Sequence, residues 1–374
     1  MKQTLPSTLA IGRRILQARE AKKLTQADLA HALGVPSHQS ISELEMGNRA
    51  LQTGELGKLA RTLGREAAYF VDPFSVEGEA TYSWRRPVGS QLPPASFYSH
   101  IDKIVGLYRW LLHTDRQLEN VTRESLRVSK ATTFEEAERI GEGLSKKLAL
   151  GAVPAKKLLE KVERDLDVPV LFFDMANESI GGPVSGVTVH LGELNCILIN
   201  RLEPSGRRSF DLAHELFHAM SWDALPPEEV EADEPGYGKP TKKGRTEQLA
   251  DKFASALLMP ADLLREKVSI TGSSDVSKLR ELTRYFGVSS TALAFRLLGL
   301  KLIEPGMCNE LRATPSQDTD SRPKRYSERF MALLADSLRS GRLSPRTAAK
   351  TLQLTLDDFD ALLREWGHQD AIEF

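Results

Sequence analysis

Two histidines four residues apart, with a glutamate beside the first, stand in the run His214-Glu215-Leu216-Phe217-His218. On a helix this i, i+4 spacing places both imidazoles on one face, where they can share a single ion. Zinc suits such donors, because it accepts imidazole nitrogen and carboxylate oxygen in tetrahedral geometry and can keep one position for water. Glu215 would lie next to that water, placed to take its proton during attack on a carbonyl and to return it to a leaving amine. A lone match of this kind is only suggestive, and a third ligand must come from elsewhere. Glu247 and Asp251 provide the context. They open the helical run Glu247 to Pro260 and are again four apart, so one carboxylate can ligate while the other accepts the spare N–H of a ligating histidine and fixes its tautomer. The plainer role for Glu247 is a first-turn carboxylate favoured by the helix dipole.

The elements that must hold these residues are readable from periodicity. A helix through Leu158-Leu159, after Pro154, precedes the apolar run Val168 to Phe173, which is rich in strand formers. Gly181-Gly182-Pro183 turns the chain into a strand at Gly186 to Leu191, and residues 192 to 195 form a turn before a strand at Cys196 to Asn200. The spacing therefore predicts a two-stranded hairpin feeding the helix that begins near Phe210 and carries the histidines.

At this point "ILIN" (197 to 200), "RRSFDLAHELFHAM" (207 to 220) and "EQLADKFASALLMP" (247 to 260) resemble the ImmA/IrrE family of metallopeptidases, over residues 155 to 300 or so. The resemblance implies an α+β, zincin-like fold with a gluzincin-type site: Zn2+ held by His214, His218 and Glu247, Glu215 as the catalytic base, and Asp251 supporting a ligand. Two positions depart from the family pattern. Phe217 stands where glycine is common, which is expected to press the helix against a strand, and Asp251 stands where asparagine is frequent. His190 and Tyr237 are weaker candidates for stabilising the oxyanion of a tetrahedral intermediate, since a lone histidine on a strand is more often structural.

The amino-terminal segment carries a different chemistry. Residues 1 to 65 hold ten Lys/Arg against five Asp/Glu although the whole chain has a net charge of -1, and a basic head suits a polyanion. A helix over Ile11 to Arg19 is followed by Thr25 as N-cap, a second helix from Gln26 to Leu33, and Gly34, which can take the left-handed turn between crossing helices. A third helix begins near His38, points Ile41 and Leu44 inward, and ends near Gly47-Asn48-Arg49. Together "LTQADLAHALGV", "SISELEMGNR" and "LGKLARTLG" resemble the lambda-repressor/XRE helix-turn-helix family, with one residue more than usual between Val35 and Ile41. The resemblance implies double-stranded operator DNA as partner. Gln26, His38, Gln39, Ser40, Glu43, Asn48 and Arg49 are the candidate contacts, as side chains able to reach base edges or phosphates. A helical protein-interaction domain of the same shape is the alternative.

The remainder sets the layout. A Pro/Gly/Ser-rich stretch from 71 to 100 reads as a linker, in which Trp84-Arg85-Arg86 is an aromatic anchor before it is a nucleic-acid contact. Helices resume from Phe97, with Ile101, Ile104, Val105, Tyr108 and Leu111 on one stripe. A polar linker at 306 to 325 leads to two or three short helices between Ser327 and Trp366, suited to packing, dimerisation or a second DNA contact. Cys196 and Cys308 have no CxxC partner, which argues against a disulfide framework. No run of apolar residues is long enough to cross a bilayer, and no leader is evident, so a cytoplasmic chain is expected.

The sequence thus reads as a multidomain protein. An all-α helix-turn-helix head (1–75) is followed by a linker and helical segment (76–153), an α+β zinc-peptidase domain (154–305) and a polar linker with carboxyl-terminal helices (306–374). Its expected activity is that of a DNA-binding transcriptional regulator with a zinc-dependent endopeptidase. The resemblance implies a repressor or antitoxin as the substrate, in stress response, mobile-element control, toxin–antitoxin systems or phage defence. A homodimer is a further candidate assembly. The alternative is a non-proteolytic repressor or antitoxin whose peptidase-like domain senses a ligand or binds a partner.

Overall fold

The computed structural model describes residues 6, 8–77, 79–85, 95–115, 124–175, 184–192, 194–226, 244–271, 275–313 and 322–372. They gather into two compact units: Met1–Thr81, Ala95–Glu119 and Phe330–Phe374 form the first, Tyr82–Pro94 and Asn120–Arg329 the second.

The first unit begins with α1 (Thr8–Ala21), α2 (Gln26–Leu33), α3 (His38–Glu45), α4 (Thr53–Leu63) and the short α5 (Ala67–Val71). Thr25 starts α2 with a capping box, its hydroxyl accepting from the Asp28 amide while the Asp28 carboxylate accepts from the Thr25 amide. Gly34 ends α2 with φ +72°, a conformation that costs a side-chain-bearing residue about 1–2 kcal/mol. Ile15, Leu29, Ile41, Leu44, Leu59 and Phe70 are buried at the centre of these helices. Beside them Arg19 and Glu45 form a buried ion pair with N–O 2.6 Å, and Glu45 also accepts from the Gln26 amide at 2.8 Å. Helices α1 and α3 meet backbone to backbone, since a methyl group on Gly12 would fall 2.4 Å from the Leu44 carbonyl oxygen.

α6 (Ala95–Thr114) buries Ile101, Ile104, Val105, Tyr108 and Leu111, the stripe that periodicity marks. It packs in the same unit as the carboxyl-terminal helices Glu328–Arg339, Pro345–Thr351 and Leu356–Glu365. Tyr108 meets Phe330 edge-on at 5.1 Å, and Arg342 donates to the Thr114 carbonyl at 3.3 Å. Arg14 of α1 and Arg109 of α6 both bind the Glu79 carboxylate, at 3.2 and 2.8 Å. This buried triad ties the head to α6.

The second unit holds a four-stranded sheet of β1 (Thr81–Arg85), β2 (Val170–Phe173), β3 (Gly186–Leu191) and β4 (Leu194–Asn200), in the order β1-β3-β4-β2. β3 and β4 are an antiparallel hairpin whose last pair is Leu191 with Leu194, and β2 runs parallel to β4 with Val170 opposite Ile197. Helices α7 (Phe134–Lys147), α8 (Pro154–Asp165), α9 (Ser205–Ser221), α10 (Arg245–Leu258), α11 (Ala261–Thr271), α12 (Val276–Phe286), α13 (Ser290–Gly299) and α14 (Pro305–Ala313) complete it. α9 packs on β3 and β4 on one side and on α10 on the other, and α10 in turn packs on α7. All of β4 is buried, as a central strand requires.

β2 lies at a sheet border, and the segment 322–329 lies along it. The Tyr326 amide donates to the Phe172 carbonyl at 2.9 Å, and Tyr326 packs edge-on against Phe173 at 5.5 Å. Asp174 accepts from Arg201 at 2.6 Å and pairs with Arg325 at 2.7 Å. Covering a border strand in this way removes a template for unwanted strand pairing.

The four consecutive segments expected from composition are redistributed here. α7, expected in the helical connection, packs in the second unit, whereas α6 and the carboxyl-terminal helices share the first unit with the head. The stretch read as linker also contributes β1. Leu194 and Asn195, expected in a turn, are paired residues of β4.

Candidate metal centre

The hydrophobic faces of α9 fix its orientation. Ala213, Leu216 and Phe217 are buried in the core, so His214, Glu215 and His218 are carried inside with them, each essentially buried. Glu247 stands in the first turn of α10, the helix against which α9 packs. The packing brings donors from both helices to one point. His218 Nε2 is 3.2 Å from His214 Nε2 and 3.0 Å from Glu247 Oε1, and His214 Nε2 is 3.2 Å from Glu247 Oε2. One ligand atom from each residue lies within 4.8 Å of the other two.

The Nδ1 of His214 is 2.9 Å from Asp251 Oδ1, one turn along α10 from Glu247. Because a carboxylate only accepts, Nδ1 carries the proton, and Nε2 turns its lone pair toward His218 and Glu247. The two imidazole nitrogens are 3.2 Å apart and each has one Glu247 oxygen within 3.2 Å, close to the edge of a tetrahedron whose corners lie about 2.0 Å from its centre, the distance zinc takes to nitrogen and oxygen. The residues present therefore fit a zinc ion.

Glu215, on the adjoining face of α9, reaches toward the sheet. Thr188 of β3 donates from Oγ1 to Glu215 Oε2 at 2.8 Å. At Gly186, two residues earlier on the same strand face, a methyl group would stand 3.0 Å from Glu215 Cγ and 3.3 Å from Oε1. Phe217 meets Phe253 of α10 with ring centroids 5.5 Å apart, so its bulk is absorbed between the two helices where pressure on a strand was anticipated.

His190 continues the same face of β3. Its ring stacks on Trp222 at 4.8 Å, and its Nδ1 is 2.6 Å from Asn195 Oδ1. Asn195 donates its amide to the Ala219 carbonyl, which orients Oδ1 toward the imidazole and makes Nδ1 the proton-bearing nitrogen. His190 Nε2 is then an acceptor in the neutral ring, and it could donate to an oxyanion only as imidazolium. Tyr237 and Arg86 lie outside the described residues. Thr188, Gly186 and Asn195 escape the reading of motifs, and the only sequence signal for them is the strand alternation Gly186, Thr188, His190.

In the head, His38, Gln39, Glu43 and Asn48 are exposed on or just after α3, and Ser40 is half-buried. Two of the anticipated contacts are engaged internally. The Gln26 amide is bound to Glu45, and one guanidinium nitrogen of Arg49 donates to both Glu55 carboxylate oxygens, at 2.9 and 3.1 Å. That pairing holds the Glu55 carboxyl below its ordinary value despite the opposing effect of burial.

Comparison with known proteins finds a family match in each unit. Residues 15–70 match the helix-turn-helix family model, and residues 163–298 match the model of a peptidase family described as the IrrE N-terminal-like domain. The chain therefore carries an amino-terminal helix-turn-helix domain of XRE type followed by an IrrE-type, peptidase-like domain. No curated protein matches it. Among solved structures it is similar to the apo form of the competence regulator ComR from Streptococcus vestibularis. That similarity covers 98% of this chain and 96% of the other at 10% identity and a TM-score of 0.17, a level of likeness that supports no argument. No helix among the described residues is long and apolar enough to cross a membrane.

Proposed function

We propose that this protein is a DNA-binding regulator whose second unit is a zinc-dependent endopeptidase acting on a repressor or antitoxin protein. The observation that carries the reading is the convergence of His214 Nε2, His218 Nε2 and Glu247 on one point, with Glu215 on the adjoining face of α9. His214, His218 and Glu247 would hold the ion, and Asp251 fixes the tautomer of His214. A bound zinc supplies Lewis acidity toward water and toward a peptide carbonyl. Glu215 takes a proton from the attacking water and delivers it to the nitrogen of the departing peptide, so that the amide C–N bond breaks with the proton accounted for. A scaffold without catalysis has no chemical use for a buried carboxylate beside two metal-binding histidines.

In the head, His38, Gln39, Ser40, Glu43 and Asn48 are the proposed groove-facing residues. Gln and Asn amides suit adenine, and a carboxylate suits the cytosine amino group. Gln26 and Arg49 contribute by holding α3 through Glu45 and Glu55.

The test combines metal analysis of the purified chain with digestion of helix-turn-helix repressors and antitoxins encoded beside it. We expect about one zinc per chain, from the one three-ligand site among the described residues, and cleavage that disappears in Glu215→Gln while zinc is retained. Full cleavage by that variant would remove Glu215 from the mechanism. A zinc-loaded wild-type chain that cuts none of these proteins, yet binds DNA in a ligand-dependent way, would replace the endopeptidase by a sensor.

A further inference from the structure

Thr188 lies outside both motifs that mark the site, yet its side chain is the one on β3 that holds the Glu215 carboxylate. It is fully buried, and its hydroxyl lies 2.8 Å from Glu215 Oε2 and 3.1 Å from the Glu215 carbonyl oxygen, so its one proton goes to the nearer and charged acceptor, the carboxylate. β3 reaches this position because the hairpin register sets Thr188 opposite Ile197 and Gly186 opposite Ile199, which turns Gly186 and Thr188 to the α9 side together. At Gly186 the missing side chain leaves room for Glu215, whose Cγ and Oε1 would otherwise stand 3.0 and 3.3 Å from a methyl group. A glutamate has three side-chain torsions, and a base must keep its oxygen within hydrogen-bond reach of the proton it removes.

We infer that Thr188 is a positioning residue for Glu215. Its hydroxyl fixes one carboxylate oxygen and so orients the other for proton transfer, while Gly186 keeps the space that this rotamer needs. The role rests on the endopeptidase reading above.

The test uses the full-length, zinc-loaded chain and a peptide library read by mass spectrometry, from which the fastest-cleaved peptide is taken for kinetics. Thr188→Val keeps the shape and removes the donor, whereas Thr188→Ser keeps the donor and removes a methyl group. We expect kcat to fall about tenfold to a hundredfold in the valine variant, the usual effect of losing one hydrogen bond to a charged group. KM should stay within about twofold and the serine variant within about threefold of wild type, with zinc content unchanged in both. A purely packing role gives the reverse order, serine worse than valine. That order, or a valine variant as active as wild type, overturns the role of Thr188 and leaves the endopeptidase reading standing. Loss of zinc from the valine variant also overturns it, by assigning Thr188 to support of the metal. Absence of any cleavage by the wild-type chain overturns the endopeptidase reading, and the role of Thr188 with it.

Discussion

Replacing Asp251 by alanine removes the partner of His214 Nδ1 without touching a proposed ligand atom. The bond is 2.9 Å long and joins a fully buried imidazole to a carboxylate whose side chain is 34% exposed. A hydrogen bond to a charged group contributes about 1.5–3 kcal/mol, and the partial exposure of Asp251 places this one near the lower end. About 1.5–2 kcal/mol corresponds to roughly 10- to 30-fold in zinc affinity, within the tenfold to hundredfold range typical of groups that orient a metal-bound histidine. Asp251→Asn should lose less, because the amide oxygen can still accept the proton. Competition titration against a chromophoric zinc chelator measures both, with His214→Ala as the limit of full ligand loss. Unchanged affinity in Asp251→Ala would refute the assignment of the His214 tautomer and the support role derived from it. A loss equal to that of His214→Ala would make Asp251 a ligand.

Two further outcomes follow from the packing. Gly12→Ala should destabilise the first unit by about 3 kcal/mol, because the added methyl group meets backbone oxygens that cannot move independently. At Gly34 an added methyl group meets only the flexible Lys58 side chain, at an ordinary contact of 3.9 Å, so Gly34→Ala costs only the strained backbone, about 1–2 kcal/mol; equal thermal shifts for the two variants would contradict this. The third outcome concerns pH. Hydrogen bonds from Arg201 and Arg325 outweigh burial and hold the Asp174 carboxyl below its usual value, so its stabilising effect is complete above the unfolded value of about 3.9 and fades as pH falls through the folded value. Unfolding measurements should therefore find Asp174→Asn less stable than wild type at pH 7, with the gap closing only below about pH 4. A gap unchanged down to pH 3 would count against the pairing.

What was legible in the sequence was whatever a single helix determines. The i, i+4 spacing of His214 with His218 and of Glu247 with Asp251 survives any tertiary arrangement, and the turn at Gly34 needs only its own backbone. Contacts between elements were less accessible. Thr188 reads as an ordinary strand residue until the hairpin register sets it against α9, and Asn195 looked like a turn former because its type is common in turns, whereas the tight two-residue connection leaves it paired in β4. Gln26 and Arg49 carried the right chemistry for DNA, but Glu45 and Glu55 compete for them, and those partners are 19 and 6 residues away in the chain. The division into units was hidden for the same reason, since composition sees only neighbours along the chain.

The first unit draws on both ends of the chain, with Phe330 and Arg342 closing on Tyr108 and Thr114. Synthesis proceeds from the amino terminus, and domains generally fold as units once their residues have emerged. The small core of α1 to α5 can assemble early because its members are close in sequence. The face of α6 that receives the last helices must wait for more than two hundred residues of the second unit to be made. A nascent chain consequently exposes the apolar face of α6 until the residues from Phe330 onward have emerged and can cover it.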